Sequence, residues 1–172
     1  AHEDDAERAV RAGLDILSDL VLNMLDYSRD RQPVLQALQP EDGRRYADGT
    51  IGGGGHAAMI LEASKTGGWL GGSDRDGAAV EAASSRLAPF AGRFEIRKGS
   101  FASLADWIEP GSLDGVVLDL GVSSPQLDWP DRGFSLLQDG PLDMRMDVEQ
   151  TMTAANIVKG ETEGKLADII WQ

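Results

Sequence analysis

The 172-residue chain has no cysteine, only two histidines and few aromatic residues. Without cysteine there is neither a disulfide framework nor thiolate chemistry. His2 and His56 are too few for a histidine-built metal centre, so no metal site is expected. No apolar run approaches the roughly 20 residues that span a bilayer. The opening residues, AHEDDAER, are polar and acidic, unlike a secretory signal. A cytoplasmic protein without membrane contact is the expectation. Positive charge is also scarce: 16 Lys and Arg stand against 29 Asp and Glu, a net charge of −13. Broad, sequence-independent binding to nucleic acid depends on cations that neutralise phosphates. Any RNA contact is therefore expected to be local, or to be supplied by a part of the protein outside these residues.

What the chain does have is glycine, concentrated where it matters. Tyr46 to His56 reads YADGTIGGGGH: a short strand, a glycine loop and the start of a helix. Glycine turns tightly and lets a ligand approach the backbone. The N–H groups of a helix start have no partner within the helix and favour anionic or polar ligand groups. Strand, glycine turn and helix together form the ligand corner of an open α/β sheet. The acidic Asp48 precedes the glycines, which is not the usual register of a nicotinamide fingerprint. Asp74 follows roughly 20 residues later at the end of a second strand, where a carboxylate can accept hydrogen bonds from ribose hydroxyls. A turn-forming aspartate would look the same. Asp76 reads as a helix N-cap.

Taken in order, residues 4–28 carry an apolar stripe at helical spacing, Val10, Leu14, Leu17, Val21 and Met24. This predicts an amphipathic helix that packs on the domain or on a second copy. Gln32 to Gly43 reads as a connector with two prolines. Strands are predicted at 44–48, 69–73, 94–97 and within 113–120, with helices over 56–65, 77–88 and 102–107. Alternating strands and helices predict a parallel sheet with right-handed crossovers. Gly121 to Asp147 reads as a long ordered loop, and 153–172 as one or two helices broken near Gly160.

The strings DGTIGGGGH (48–56), SDRD (73–76), GSF (99–101), LDLGVSSPQLD (118–128), DRGFS (131–135) and DGPLDMRMD (139–147) resemble the MraW-type 16S ribosomal RNA (cytosine-N4)-methyltransferases. The likeness runs from about Arg44 to Trp171, with a trace at Pro33-Val34-Leu35. It implies a Rossmann-like class I methyltransferase core with an inserted helical domain. S-adenosylmethionine (AdoMet) would be the cofactor, bound by Gly54, Gly55, His56, Asp74, Phe101, Asp119 and Gln126. In such enzymes the acidic residue at the position of Asp48 faces the methionine end. Asp119, Ser124 and Pro125 lie where amine methyltransferases hold their acceptor amine. The implied partner is 16S rRNA in the small ribosomal subunit.

The resulting expectation is an α/β chain in three parts: an N-terminal amphipathic helix (1–31), the N-terminal half of an AdoMet-binding domain (32–152) and the start of a helical insertion (153–172). Its partial parallel sheet has the order 3-2-1-4. The fourth strand would then be an edge, open to pairing with another chain. Association of copies through that edge or through the N-terminal helix is a further expectation. Residues 1–31 lack the family pattern, and Arg31-Gln32-Pro33-Val34-Leu35 lacks the histidine of the family's His-x-Pro-Val-Leu segment. The chain thus reads as truncated or chimeric, which puts its turnover on RNA in doubt. The competing readings are a non-catalytic nucleotide-binding or assembly module and an NAD-type oxidoreductase. The SSPQ and DGPLDMRMD strings argue against the oxidoreductase.

Overall fold

The computed structural model describes residues 21–23, 32–135 and 137–171. They divide into two compact units, one ending at Gly121 and one beginning at Val122.

The first unit is a parallel sheet of five strands: β1 (Val21–Asn23), β2 (Arg45–Asp48), β3 (Trp69–Asp74), β4 (Phe94–Lys98) and β5 (Gly115–Leu118). Their spatial order is β1-β5-β2-β3-β4. The four strands read from the sequence are β2 to β5, and they neighbour one another in the expected order. Helices α1 (Gln32–Leu38), α2 (Gly55–Ala63) and α3 (Gly77–Leu87) connect them, with a 3-10 segment at Phe101–Asp106 before β5.

The alternation of the strands explains the two cores. Tyr46 and Val117 join Val34, Ile60, Leu61, Leu70 and Leu87 in a cluster that holds the helices against one face. Their strand neighbours Ala47 and Val116 point the other way and pack with Leu104, Ile108 and Leu113. A strand buried on both faces reads as a continuous apolar run, as Val116-Val117 does.

Three expectations need correction. Val21–Asn23 is a strand, not part of a helix; the remainder of the predicted 4–28 helix lies outside the described residues. Strand β1 pairs in parallel with β5, Val21 opposite Val116 and Asn23 opposite Leu118. β5 is therefore not an edge, because its backbone donors and acceptors on that side are met by the same chain. Gln32–Leu38 is a helix, not a connector. Pro33 sits in its first turn, where no intrahelical N–H bond is lost. Val34 and Leu38, four residues apart, bury the same side.

The second unit contains α4 (Ser124–Asp128), a 3-10 turn at Pro130–Arg132, α5 (Ala154–Gly160) and α6 (Glu163–Trp171). Thr153 caps α5 by accepting the Asn156 N–H at 3.2 Å. The long segment between α4 and α5 is organised by two arginines. Arg145 pairs with Asp143 through Nε at 2.8 Å and Nη2 at 2.6 Å, and donates to the Val148 carbonyl at 2.9 Å. Arg132 donates to the carbonyls of Arg145 and Met146, both at 3.0 Å. The sequence leaves both arginines open to RNA phosphate or to ion pairs with the many nearby acids; in the structure they bind groups of their own unit. Among the described residues no helix is long and apolar enough to cross a membrane.

Candidate functional site

The C-terminal ends of β2, β3 and β5 lie side by side and each ends in, or is followed by, an aspartate: Asp48, Asp74 and Asp119. In open parallel sheets this is the edge at which ligands bind. The loop 49–54 leaves β2 here and is fastened on both sides. Gly49 N–H donates to the Val117 carbonyl at 3.0 Å, and Ile51 N–H to the Ser73 carbonyl at 3.0 Å. Gly52 N–H donates to Asp74 Oδ2 at 2.9 Å, while the other carboxylate oxygen accepts the Asp76 N–H at 3.0 Å. The glycine loop and Asp74 are thus joined directly. An ionised carboxylate has about four acceptor positions, so the two backbone bonds leave it acceptor capacity.

Within the loop, Gly52 and Gly54 have φ of +50° and +74°, which side chains resist. Gly54 is also close-packed: a Cβ there would stand 3.0 Å from the Ala83 Cα on α3. Gly53, between them, is exposed. α2 begins at Gly55 with no side-chain cap and no acidic residue in its first turn. His56 occupies that turn and is half-buried.

Asp48 is 1% exposed. Burial pushes its carboxyl up to about 7; the Thr50 N–H, 3.2 Å from Oδ1, opposes this, and the neighbouring Asp74 and Asp119 carboxylates reinforce it. Asp119 itself is exposed, and its backbone N–H donates to Thr50 Oγ1 at 2.7 Å. Phe101 opens the 3-10 segment after β4 and lies against Gly49: a Cβ on Gly49 would come within 2.7 Å of the Phe101 Cβ and would overlap the Leu118 side chain. The first unit therefore brings together Asp48, the glycine loop, Asp74, Phe101 and Asp119. Asp76, as anticipated, caps α3, accepting the Ala78 N–H at 3.0 Å.

Ser124, Pro125 and Gln126 belong to the second unit. Ser124 and Pro125 open α4 and are exposed; Pro125 fits the first turn for the same reason as Pro33. Gln126 is 5% exposed, and its Oε1 accepts the Ser123 N–H at 2.9 Å. Ser123 thus shapes the helix start.

Two residues of the corner had no role in the sequence reading. Gly49 has the close approach of Phe101 and Leu118, and Thr50 has contacts to two aspartates. Both lie inside the quoted DGTIGGGGH string. The signal was present, but only the packing of β5 beside β2 gives it meaning.

The corner's chemistry follows from its charge. Three carboxylates converge, one of them buried and reluctant to ionise. A ligand with a positive centre would relieve that cost, and exposed loop backbone offers it hydrogen bonds. Among the described residues no group of His, Cys, Asp or Glu could hold a metal ion.

Comparison with known proteins bears on the family. The model of the MraW methylase family matches residues 31–172. Ribosomal RNA small subunit methyltransferase H from Geotalea uraniireducens is 49% identical over 141 residues, 80% of this chain and 45% of that protein. The protein of the same name from Citrifermentans bemidjiense is 50% identical over 140 residues, with the same coverage. The chain thus spans about half the length of the curated relatives it matches. Among solved structures, a SAM-dependent O-methyltransferase from Thermotoga maritima aligns over 64% of this chain and 38% of its own, at 19% identity and a TM-score of 0.45. The family match over most of the chain makes this chain a member of the MraW methylase family.

Proposed function

We propose that the chain carries the AdoMet-binding portion of a methyltransferase that acts on the exocyclic N4 amine of a cytidine in small-subunit ribosomal RNA, in the cytoplasm. The observation that carries this reading is the join between the Gly52 N–H and the Asp74 carboxylate beside the buried Asp48. A sulfonium nucleoside has a ribose diol at one end and a cationic amino-acid group at the other. Asp74 suits the diol, and Asp48 suits the cation. Gly54, Gly55 and His56 at the start of α2 would line the ligand between them. Phe101 would pack on the adenine. On this reading 32–152 is the cofactor domain and 153–172 begins a helical insertion.

AdoMet supplies an electrophilic methyl group. The protein's task is then to hold a poor nucleophile, since the cytosine amine's lone pair is conjugated with the ring. Asp119 is exposed just after β5. It would accept an amine N–H hydrogen, which orients the lone pair and removes the proton released on transfer. Pro125 fixes the backbone that presents Ser124.

The test is transfer of labelled methyl from AdoMet to small ribosomal subunits and to their extracted RNA. Label in N4-methylcytidine that falls at least about a hundredfold with Asp119→Asn supports the assignment. AdoMet binding without transfer would favour the non-catalytic module instead. Association of copies through residues 1–31 is read from chromatography of the same sample.

A further inference from the structure

The segment that carries Phe101 is fastened to the end of β3 by bonds that have no role in the mechanism above. β3 and β4 run in register, Asp74 opposite Lys98, so the residues that follow them leave the sheet side by side. The Gly99 N–H donates to the Asp74 carbonyl at 2.8 Å. One residue further on, Arg75 Nη2 donates to Ser100 Oγ at 3.2 Å. The same oxygen caps the 3-10 segment, accepting the Ala102 N–H at 3.3 Å. The Ser100 carbonyl accepts from Ser103 Oγ at 2.7 Å. Phe101, between Ser100 and Ala102, lies inside the turn held in this way.

We infer that Arg75 is a positioning residue: its guanidinium holds the Ser100 cap and so sets where Phe101 stands relative to Asp74, the two groups between which the nucleoside would lie. The ligand roles of Phe101 and Asp74 rest on the proposed function; the clamp itself does not.

The bond at Gly99 alone would leave the turn free to pivot, and the second bond, at Ser100, removes that freedom. Arg75 and Ser100 are both half-buried. A hydrogen bond from a charged donor is stronger than a neutral one, and partial shielding from water keeps it so. On its other side Phe101 lies against Gly49, in the loop that leaves β2. The ring's place is thus set from two strand ends, β2 through Gly49 and β3 through Arg75. Alanine at Arg75 removes one of these supports without touching Asp74 or the glycine loop.

The test combines hydrogen exchange of the ligand-free full chain with calorimetric titration of AdoMet. The proteins are the wild type, Arg75→Ala, Phe101→Ala and the double variant. Exchange of amides 100–103 should speed about tenfold in Arg75→Ala, with the β2 amides unchanged. AdoMet affinity should fall about tenfold in Arg75→Ala. In the Phe101→Ala background the same change should cost less than about twofold, because Arg75 acts through the ring that is gone. An unmoved exchange rate would overturn the inference whether or not AdoMet binds. So would a full tenfold loss in the Phe101→Ala background, which would mean that Arg75 meets the ligand itself. Should Arg75→Ala not fold, Ser100→Ala removes the same bond from its other end and is held to the same outcomes. Absence of AdoMet binding in every protein, the wild type included, with exchange behaving as expected, would refute the proposed function and leave the clamp standing.

Discussion

The unit that ends at Gly121 buries Leu61, Leu70 and Leu87 completely, whereas the unit that begins at Val122 buries, among its described residues, only Gln126. The second unit instead exposes Trp129, Leu142, Met144, Met152 and Trp171. Its long segment is held by the guanidinium of Arg145 and the carbonyls it collects. Two carboxyls, one in each unit, are displaced in opposite directions. Burial pushes Asp48 up to about 7. The side-chain hydrogen bond from Arg145 draws Asp143 down to about 2. The first unit stores an electrostatic cost at its ligand corner; the second uses a satisfied ion pair where a core would otherwise be. A hydrophobic frame can carry an unfavourable buried acid, and a unit without a core cannot.

The largest expected effect tests the core. Leu61→Ala should lower the unfolding free energy by about 2–5 kcal/mol, read from urea denaturation followed by far-ultraviolet circular dichroism. A loss below about 1 kcal/mol would mean that α2 is not fastened as described.

Next comes the pH dependence. The Asp48 carboxyl binds its proton more tightly in the folded state than in the unfolded state. Its contribution is therefore complete below pH 3.8 and disappears as pH climbs through about 7. Over that window the wild type should lose up to about 4 kcal/mol of stability from this group. Asp48→Asn should flatten that slope between pH 5 and 8. Asp143 runs the other way: its contribution is present above pH 3.8 and lost as pH falls through about 2. An Asp48→Asn protein with the wild-type slope would place the titrating group elsewhere.

A smaller, local effect separates the units. Arg145→Ala should speed hydrogen exchange of amides 143–150 by about tenfold and leave β2 and β3 unchanged. Lysine should rescue only partly, since it lacks the planar fork that pairs with both Asp143 oxygens. Equal loss of protection in both units would break the contrast. Smallest of all, Trp171→Ala, at a residue 87% exposed, should shift stability by less than about 0.5 kcal/mol.

Most of the first unit was legible in the sequence, for physical reasons. Val116-Val117 announces a strand covered on both sides, and Asp76 ahead of an alanine-rich run announces a helix start. The glycine loop and Asp74 could be paired because the spacing of a βαβ unit is nearly fixed. What stayed hidden depends on neighbours. The Val34 and Leu38 pair is too short a pattern to outweigh Pro33 until α2 supplies something to pack on. Val21–Asn23 fits a helical stripe and a strand equally well, and the open side of β5 decides between them. Arg132 and Arg145 fit RNA phosphate and ion pairs equally well in a sequence, because the carbonyls that engage them are invisible there.

The corner at Asp48, Asp74 and the glycine loop is tested most directly by calorimetric titration of the full chain with AdoMet at pH 6 and pH 8. Binding of a cation beside Asp48 should favour its ionised form. The account therefore predicts tighter binding at pH 8, release of a proton at pH 6, and loss of both effects in Asp48→Asn. Equal affinity and no proton release at the two pH values, or a preference for NAD over AdoMet, would contradict it.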